Sequence, residues 1–145
     1  MTTPFALPPY VLVTPAHNEA ALIERTLDSM VAQFARPVRW VVVNDASTDA
    51  TADIVRAYAK LHDFIRLVDV QRSGPRHFGN KALAFSAGLA TLRDLDYGYV
   101  GNLDADISLP NDYFQRVLRE FLADPRLGIA GGMVNSRIGD RYVSQ

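Results

Sequence analysis

The chain has 145 residues, 48% of them hydrophobic and 21% charged, with a net charge of −1 and no cysteine. A chain of this length suits one domain that buries about 70% of its unfolded surface, and the composition is ordinary for a soluble globular protein. The near-neutral charge gives no general attraction for nucleic acid or membrane. The missing cysteines exclude disulfides, thiol catalysis and thiolate-bound zinc, and no apolar run approaches the ~18 residues that span a bilayer. The opening MTTPFALPPY is broken by prolines and lacks the basic start of a signal peptide. The expected location is therefore the cytoplasm, either free or, in a longer protein, peripheral at the inner face of the membrane.

Short β-branched runs alternate with longer helical patterns, which predicts βαβ units around a parallel sheet. A first strand is expected at Tyr10 to Thr14, then a helix from about Glu19 to Phe34, with Ile23, Leu27, Met30 and Phe34 at helical spacing. The run VRWVVV from Val38 to Val43, apolar apart from Arg39, predicts a strand covered on both faces. A second helix follows, roughly Ala50 to Leu61, with Ile54, Tyr58 and Leu61 on one stripe, and a third strand from about Phe64 to Val70. The loop QRSGPRHFGN leads into a helix from about Lys81 to Leu92 that carries Phe85, Leu89 and Leu92. The fourth strand is expected from Tyr99 to about Asp104. A helix opens near Pro110 and carries Phe114, Val117, Leu118 and Phe121, and GIAGGMVN reads as a fifth strand or an extended crossing segment. No internal repeat, low-complexity tract or linker interrupts this order.

Three polar clusters break the apolar pattern: PAHNE, NDASTD, and the DAD of GNLDADISLP. Each follows the carboxyl end of an expected strand, the edge where open α/β sheets bind ligands. In extended backbone, residues two apart point the same way, so Asp104 and Asp106 would share a face if the fourth strand reached them. Two like charges on one face ask for a cation, a proton or a hydrogen-bond donor. The spacing alone is weak, because 13 aspartates give about one D-x-D by chance, and a second pair, Asp94 and Asp96, occurs at an expected helix end facing water. The position on an edge shared with two other polar clusters is the stronger signal. Neither G-x-G-x-x-G nor G-x-x-x-x-G-K-[ST] is present, which disfavours a glycine-rich phosphate cradle. Carboxylates could instead hold a divalent cation that bridges substrate phosphates.

In order and spacing, PAHNEA, VVVNDASTDAT, GNKALAFSAGL and NLDADISLP resemble the nucleotide-sugar-binding half of an inverting glycosyltransferase of family 2. The resemblance covers roughly residues 10 to 135. It implies the GT-A fold: α/β, a Rossmann-like mostly parallel sheet with helices on both faces, here expected to be one nucleotide-sugar-binding domain over 1–145, incomplete at its C-terminal end. By resemblance, Pro15, His17 and Glu19 would hold the nucleoside, although His17 stands where the family often has an aromatic residue. Asp45 would accept a hydrogen bond from the base, which favours UDP-sugars and leaves GDP- or dTDP-sugars as alternatives. Ser47 and Lys81 would join the nucleotide-sugar site. Asp104 would contact the donor, and Asp106, with Asp104, would hold Mg²⁺ or Mn²⁺. Each has a plainer reading: a first-turn Glu favoured by the helix dipole at Glu19, a turn residue at Asp45, a solvent-facing Lys81, and helix caps at Thr48, Asp49, Asp106 or Ser108. Arg72 and Arg76, in the loop before Lys81, are further candidates for the diphosphate.

The implied reaction is inverting sugar transfer to a glycan, lipid or protein hydroxyl, and it needs a general base. The family's base lies well downstream of D-x-D. Only Asp112, Glu120, Asp124 and Asp140 follow it here, and none has a convincing context. The base is expected beyond Gln145, which would leave this chain poorly active alone and prone to self-association through an uncovered apolar face. A non-catalytic nucleotide-binding or interaction module is the competing expectation. A phosphatase of the haloacid dehalogenase type is disfavoured, since its carboxylate pair follows the first strand.

Overall fold

Val11, Leu12 and Val13, and again Trp40 to Val43, are apolar at successive positions, and such a segment is satisfied only when both its faces are covered. In the computed structural model, which describes residues 6–138 and 140–144, these runs form the centre of a four-stranded parallel sheet. Its strands are β1 (Tyr10–Ala16), β2 (Arg39–Asp45), β3 (Ile65–Val70) and β4 (Tyr99–Asn102), in the order β3-β2-β1-β4.

Alternation along the strands sends side chains to two cores. Val11, Val13, Val41 and Val43 pack with Ala84 and Leu92 against α3 (Asn80–Ala90). Tyr10, Leu12, Trp40 and Val42 face the other way, onto α1 (Ile23–Val31), α2 (Thr51–Leu61) and α4 (Tyr113–Ala123). Right-handed crossovers account for this division. The first two connections step outward from β1 to β3, and the third returns past β1 to β4 and so crosses on the opposite face. Gly88 lets α3 lie close to the sheet, for a Cβ there would stand 2.6 Å from Val43 Cγ2 and 2.7 Å from Val13 Cγ1.

The expected α/β architecture with helices on both faces is therefore present, with several local differences. Helix α1 begins four residues later than expected. Asn18 has a left-handed φ of 54°, and the Glu19 N–H is taken by Thr51 Oγ1 at 2.8 Å, so the chain turns at Glu19 before it coils. The helix also stops at Val31, and Phe34, expected on its buried stripe, is 71% exposed while its N–H donates to Asn111 O. In α2 the buried residues are Thr51 and Val55, and Leu61, at the last position, is 79% exposed. Strand β4 ends at Asn102, short of Asp104. Helix α4 starts at Tyr113, after a turn closed by Tyr113 N–H to Pro110 O.

Residues 128–134 carry no regular structure. Gly132 N–H donates to the Tyr113 hydroxyl at 2.9 Å, which ties that segment to α4. The strand expected there begins only at Asn135, as β5 (Asn135–Ile138), and pairs antiparallel with β6 (Arg141–Ser144) in a separate two-stranded sheet. No helix among the described residues is long and apolar enough to cross a membrane.

Candidate functional site

Parallel pairing brings the carboxyl ends of β1, β2 and β4 to one edge, and the strand order reverses direction beside β1. A cleft of about 210 Å³ opens there. Seven of the expected site residues line it: Pro15, His17, Glu19, Asp45, Lys81, Asp104 and Asp106. Arg76, which the sequence left uncommitted, lines it as well. Ser47 does not. Its hydroxyl accepts the Asn18 N–H at 3.0 Å, and its own N–H donates to Asn44 Oδ1, so it ties the loop after β1 to the loop after β2.

Asp49 performs a related task from just ahead of α2. One oxygen accepts from Thr51 N–H and Thr51 Oγ1–H, the other from Ala20 N–H at 3.0 Å. These donors, the Thr51 hydroxyl foremost, hold its carboxyl below the usual aspartate range. Ala50, not Asp49, is the N-cap of α2, so Asp49 fixes the turn ahead of the helix and ties it to the loop after β1 rather than capping it.

Asp45 ends β2 and is only 2% exposed. A buried carboxylate without a partner is costly, and here two arginines meet it. Arg72 Nε donates to Oδ1, and Arg76 Nη1 lies 3.5 Å from Oδ2. Arg72 Nη2 also donates to Asn80 O at 2.8 Å, which anchors the loop before α3 against the site. Sequence reading named both arginines only as diphosphate candidates, because nothing local reveals that the loop folds back onto β2.

The two D-x-D carboxylates share a side even though the β4 ladder stops before them. Leu103 N–H reaches Val13 O, and Ala105 O accepts the Thr26 hydroxyl at 2.8 Å, so the backbone stays pinned. Leu103 and Ala105 are buried and alternate with Asp104 and Asp106, which are both exposed and line the cleft. The competing Asp94 and Asp96 are exposed and lie outside it. Lys81 Nζ, from the first turn of α3, donates to Asp104 Oδ1 at 2.5 Å. With both partners about half exposed, this ion pair contributes at most about 1 kcal/mol to stability. No cation of the described residues stands within ion-pair distance of Asp106.

The donor set suits a hard divalent cation. Two exposed carboxylates offer oxygen ligands of the kind Mg²⁺ and Mn²⁺ prefer. No group of three or more His, Asp or Glu among the described residues forms a ready-made cage. A cation here would complete its shell with phosphate oxygens and water, as Mg²⁺ commonly does.

Glu19 registers the acidity of this edge. Partial burial, then the charges of Asp106 and Asp49, with a smaller contribution from Asp104, raise its carboxyl above the ordinary 4.5, against a lowering influence of His17. Ionising Glu19 thus costs folding stability once the pH rises from 4.5 through the raised native value, whereas below 4.5 both states are protonated and no cost arises. Glu19→Gln is expected to unfold at a higher temperature than the wild type at pH 7, with the difference closing by about pH 4. Calorimetric scans across that range check this, and a difference independent of pH would contradict it.

The sequence pattern of the family described as Glycosyl transferase family 2 matches residues 11–144. The chain is 32% identical over 125 residues to poly-β-1,6-N-acetyl-D-glucosamine synthase of Staphylococcus aureus (strain COL), across 86% of this chain and 28% of that protein. The same enzyme from Staphylococcus epidermidis is 30% identical over an equal span. The chain thus covers little more than a quarter of these relatives' length. Among solved structures, a mannosyltransferase from Pyrobaculum calidifontis in complex with GDP-Man and Mn²⁺ superposes with a TM-score of 0.64 at 32% identity, over 86% of this chain and 35% of that one. Staphylococcus aureus TarS 1-349 in complex with UDP gives 0.63 at 20% identity, over 79% and 32%, a likeness of fold alone. Matched over nearly all its length in sequence, and sharing the parallel sheet of these enzymes, the chain belongs to glycosyl transferase family 2 and has its GT-A fold.

Proposed function

We propose that this chain binds a nucleoside-diphosphate sugar, with a divalent cation held by Asp106 and Asp104, for inverting transfer of the sugar to an acceptor hydroxyl. The observation that carries the reading is the convergence of Asp104, Asp106, Lys81 and Asp45 on one cleft at the reversal of strand order. The Pyrobaculum neighbour, bound to GDP-Man and Mn²⁺, supports it.

Each group has a task in this reading. Lys81, close to the amino end of α3, offers a cation to the diphosphate once it leaves Asp104. Asp45 accepts the ring N–H of the base, a donor present in uracil, thymine and guanine and absent from cytosine, while Arg72 and Arg76 hold the carboxylate in place. Pro15, His17 and Glu19 bound the nucleoside side of the cleft. A bound cation supplies Lewis-acid neutralisation of charge on the leaving diphosphate. In the transfer itself, the acceptor oxygen attacks the anomeric carbon from the face opposite the diphosphate. The bond to the diphosphate oxygen breaks with its electron pair, and the acceptor proton passes to a base. Asp112, Glu120, Asp124 and Asp140 do not line the cleft, so the base is assigned to an acceptor-binding part outside residues 1–145. The acceptor classes remain glycan, lipid or protein.

Calorimetric titration with UDP, GDP, dTDP and CDP, each with and without Mg²⁺ or Mn²⁺, tests the reading. UDP is expected to bind tightest, CDP weakest, and all with clear metal dependence. CDP binding as tightly as UDP would remove the base assignment, and metal-independent binding would remove the D-x-D assignment. A non-catalytic nucleotide-binding module would give the same titrations. It is separated by sugar transfer once an acceptor-binding half is supplied.

A further inference from the structure

The loops after β1 and β2 are joined by hydrogen bonds whose directions can be worked out in full. Thr48 N–H lies 2.8 Å from Asn18 Oδ1, and a backbone N–H only donates, so the amide oxygen of Asn18 must face Thr48. The amide nitrogen then faces His17 Nε2 at 3.2 Å. An amide NH₂ has no acceptor capacity, so Nε2 must be bare. The other ring nitrogen, Nδ1, stands 2.7 Å from Asp45 O, which only accepts, so Nδ1 must carry the proton. Only one arrangement satisfies every partner: Thr48 donates to Asn18, Asn18 to His17, and His17 to the Asp45 carbonyl. It requires the Nδ1–H tautomer, the less common one for a free imidazole.

The last bond in the chain falls on a strained peptide. Ala46, immediately after that carbonyl, has φ 53°, a left-handed conformation that is unfavourable for a non-glycine residue. Such strain persists only where surrounding contacts impose it, and the His17 Nδ1–H is a donor aimed at the oxygen of that peptide unit. The same residue, Asp45, places its side chain in the cleft.

We propose that His17 is a positioning residue. As the Nδ1–H tautomer it clamps the Asp45–Ala46 peptide and so aims the Asp45 carboxylate for base recognition. The clamp rests on geometry alone, and its consequence for the base rests on the nucleoside-diphosphate reading given above.

Two measurements separate these parts. In ¹⁵N-histidine-labelled protein, a long-range ¹H–¹⁵N correlation reports which nitrogen of each of the three histidines is protonated, and His17→Asn identifies the signals. Nδ1 of His17 is expected to be protonated and Nε2 bare. An Nε2–H pattern overturns the clamp, whether or not any nucleotide binds. Asn18→Asp replaces the donor that faces Nε2 with an acceptor, so Nε2 is expected to gain a proton, and an unchanged spectrum would also overturn it.

Titration with UDP and CDP tests the consequence. His17→Ala is expected to lose about tenfold in UDP affinity and to narrow the preference for UDP over CDP. His17→Asn, whose amide nitrogen takes the place of Nδ1, is expected to restore affinity to within about threefold. A general loss of folding would not be rescued in this way, nor would it change the ratio between bases. If the wild type binds UDP and His17→Ala keeps both affinity and ratio, the positioning role is wrong. If the wild type binds no nucleotide, the functional reading fails while the tautomer result stands.

Discussion

Asp106→Ala is expected to abolish the metal dependence of UDP binding and to leave the fold intact. The carboxylate is exposed, lines the cleft and has no cation beside it among the described residues, so its loss removes no packing and no ion pair. After partial burial, its charge is the largest influence that raises the Glu19 carboxyl, which is a sign of like-charge repulsion at this edge. The unfolding temperature should therefore stay the same or rise slightly, within the ~0.5 kcal/mol usual for surface substitutions. Loss of residues that only support a metal's ligands typically costs 10–100-fold in metal affinity. Removing a ligand itself should diminish the enhancement of UDP affinity by Mg²⁺ or Mn²⁺ roughly a hundredfold or more. Asp94→Ala and Asp96→Ala, exposed and outside the cleft, serve as controls and should change nothing. Titrations that show Asp106→Ala and wild type with the same metal dependence would falsify the assignment. Asp104→Ala should also weaken binding, though for two reasons at once, because it releases Lys81 as well as removing an oxygen donor.

Trp40→Ala should give the largest loss of stability. Trp40 is fully buried in β2, in the core that faces α1, α2 and α4, and its indole N–H donates to Thr14 Oγ1 at 2.9 Å. Truncation of a buried tryptophan costs about 3–5 kcal/mol through lost burial and a cavity. It also deprives the buried Thr14 hydroxyl of its donor, a further ~1–3 kcal/mol if no water replaces it. Against a total stability of about 5–15 kcal/mol, a loss near 5 kcal/mol is severe. It should lower the unfolding temperature by roughly 10–20 °C for a domain of this size. Trp40→Phe keeps an aromatic ring but loses the hydrogen bond and leaves a smaller cavity, so its cost should lie below that of the alanine variant. Trp40 is the sole tryptophan, so urea unfolding of all three proteins is best followed by circular dichroism. A cost below about 2 kcal/mol for the alanine variant would mean that this core does not carry the sheet as described.

The strands were legible because the evidence for them is local. VLV and WVVV are apolar at every position, and β-branched residues favour extended backbone whatever lies nearby. Helix existence was legible for the same reason, through spacing. Which members of a helical stripe are buried was not. Phe34 continues the periodicity of α1 and Leu61 that of α2, yet both are exposed, because each helix outruns or falls short of the surface it packs on. The hairpin of β5 and β6 escaped notice because strands of four residues, rich in polar side chains, carry almost no periodic signal.

The order of polar clusters along the chain was enough to put Pro15, His17, Glu19, Asp45, Asp104 and Asp106 in one cleft, and the family resemblance added Lys81. In a parallel sheet, the carboxyl ends of successive strands must all emerge on the same edge. The connections across that edge were beyond the reach of sequence. Arg72 and Arg76 on Asp45, Lys81 on Asp104, Thr48 on Asn18 and His17 on Asp45 join residues 23 to 31 positions apart, through side chains that carry no pattern of their own. Ser47 shows the difference most directly. Its place in NDASTD marked it for the ligand, and only the fold shows that its hydroxyl is spent on the neighbouring loop. Composition and periodicity determine which segments become strands and helices, and hence which edge is polar. How that edge is wired depends on distances between segments, and those exist only once the chain has folded.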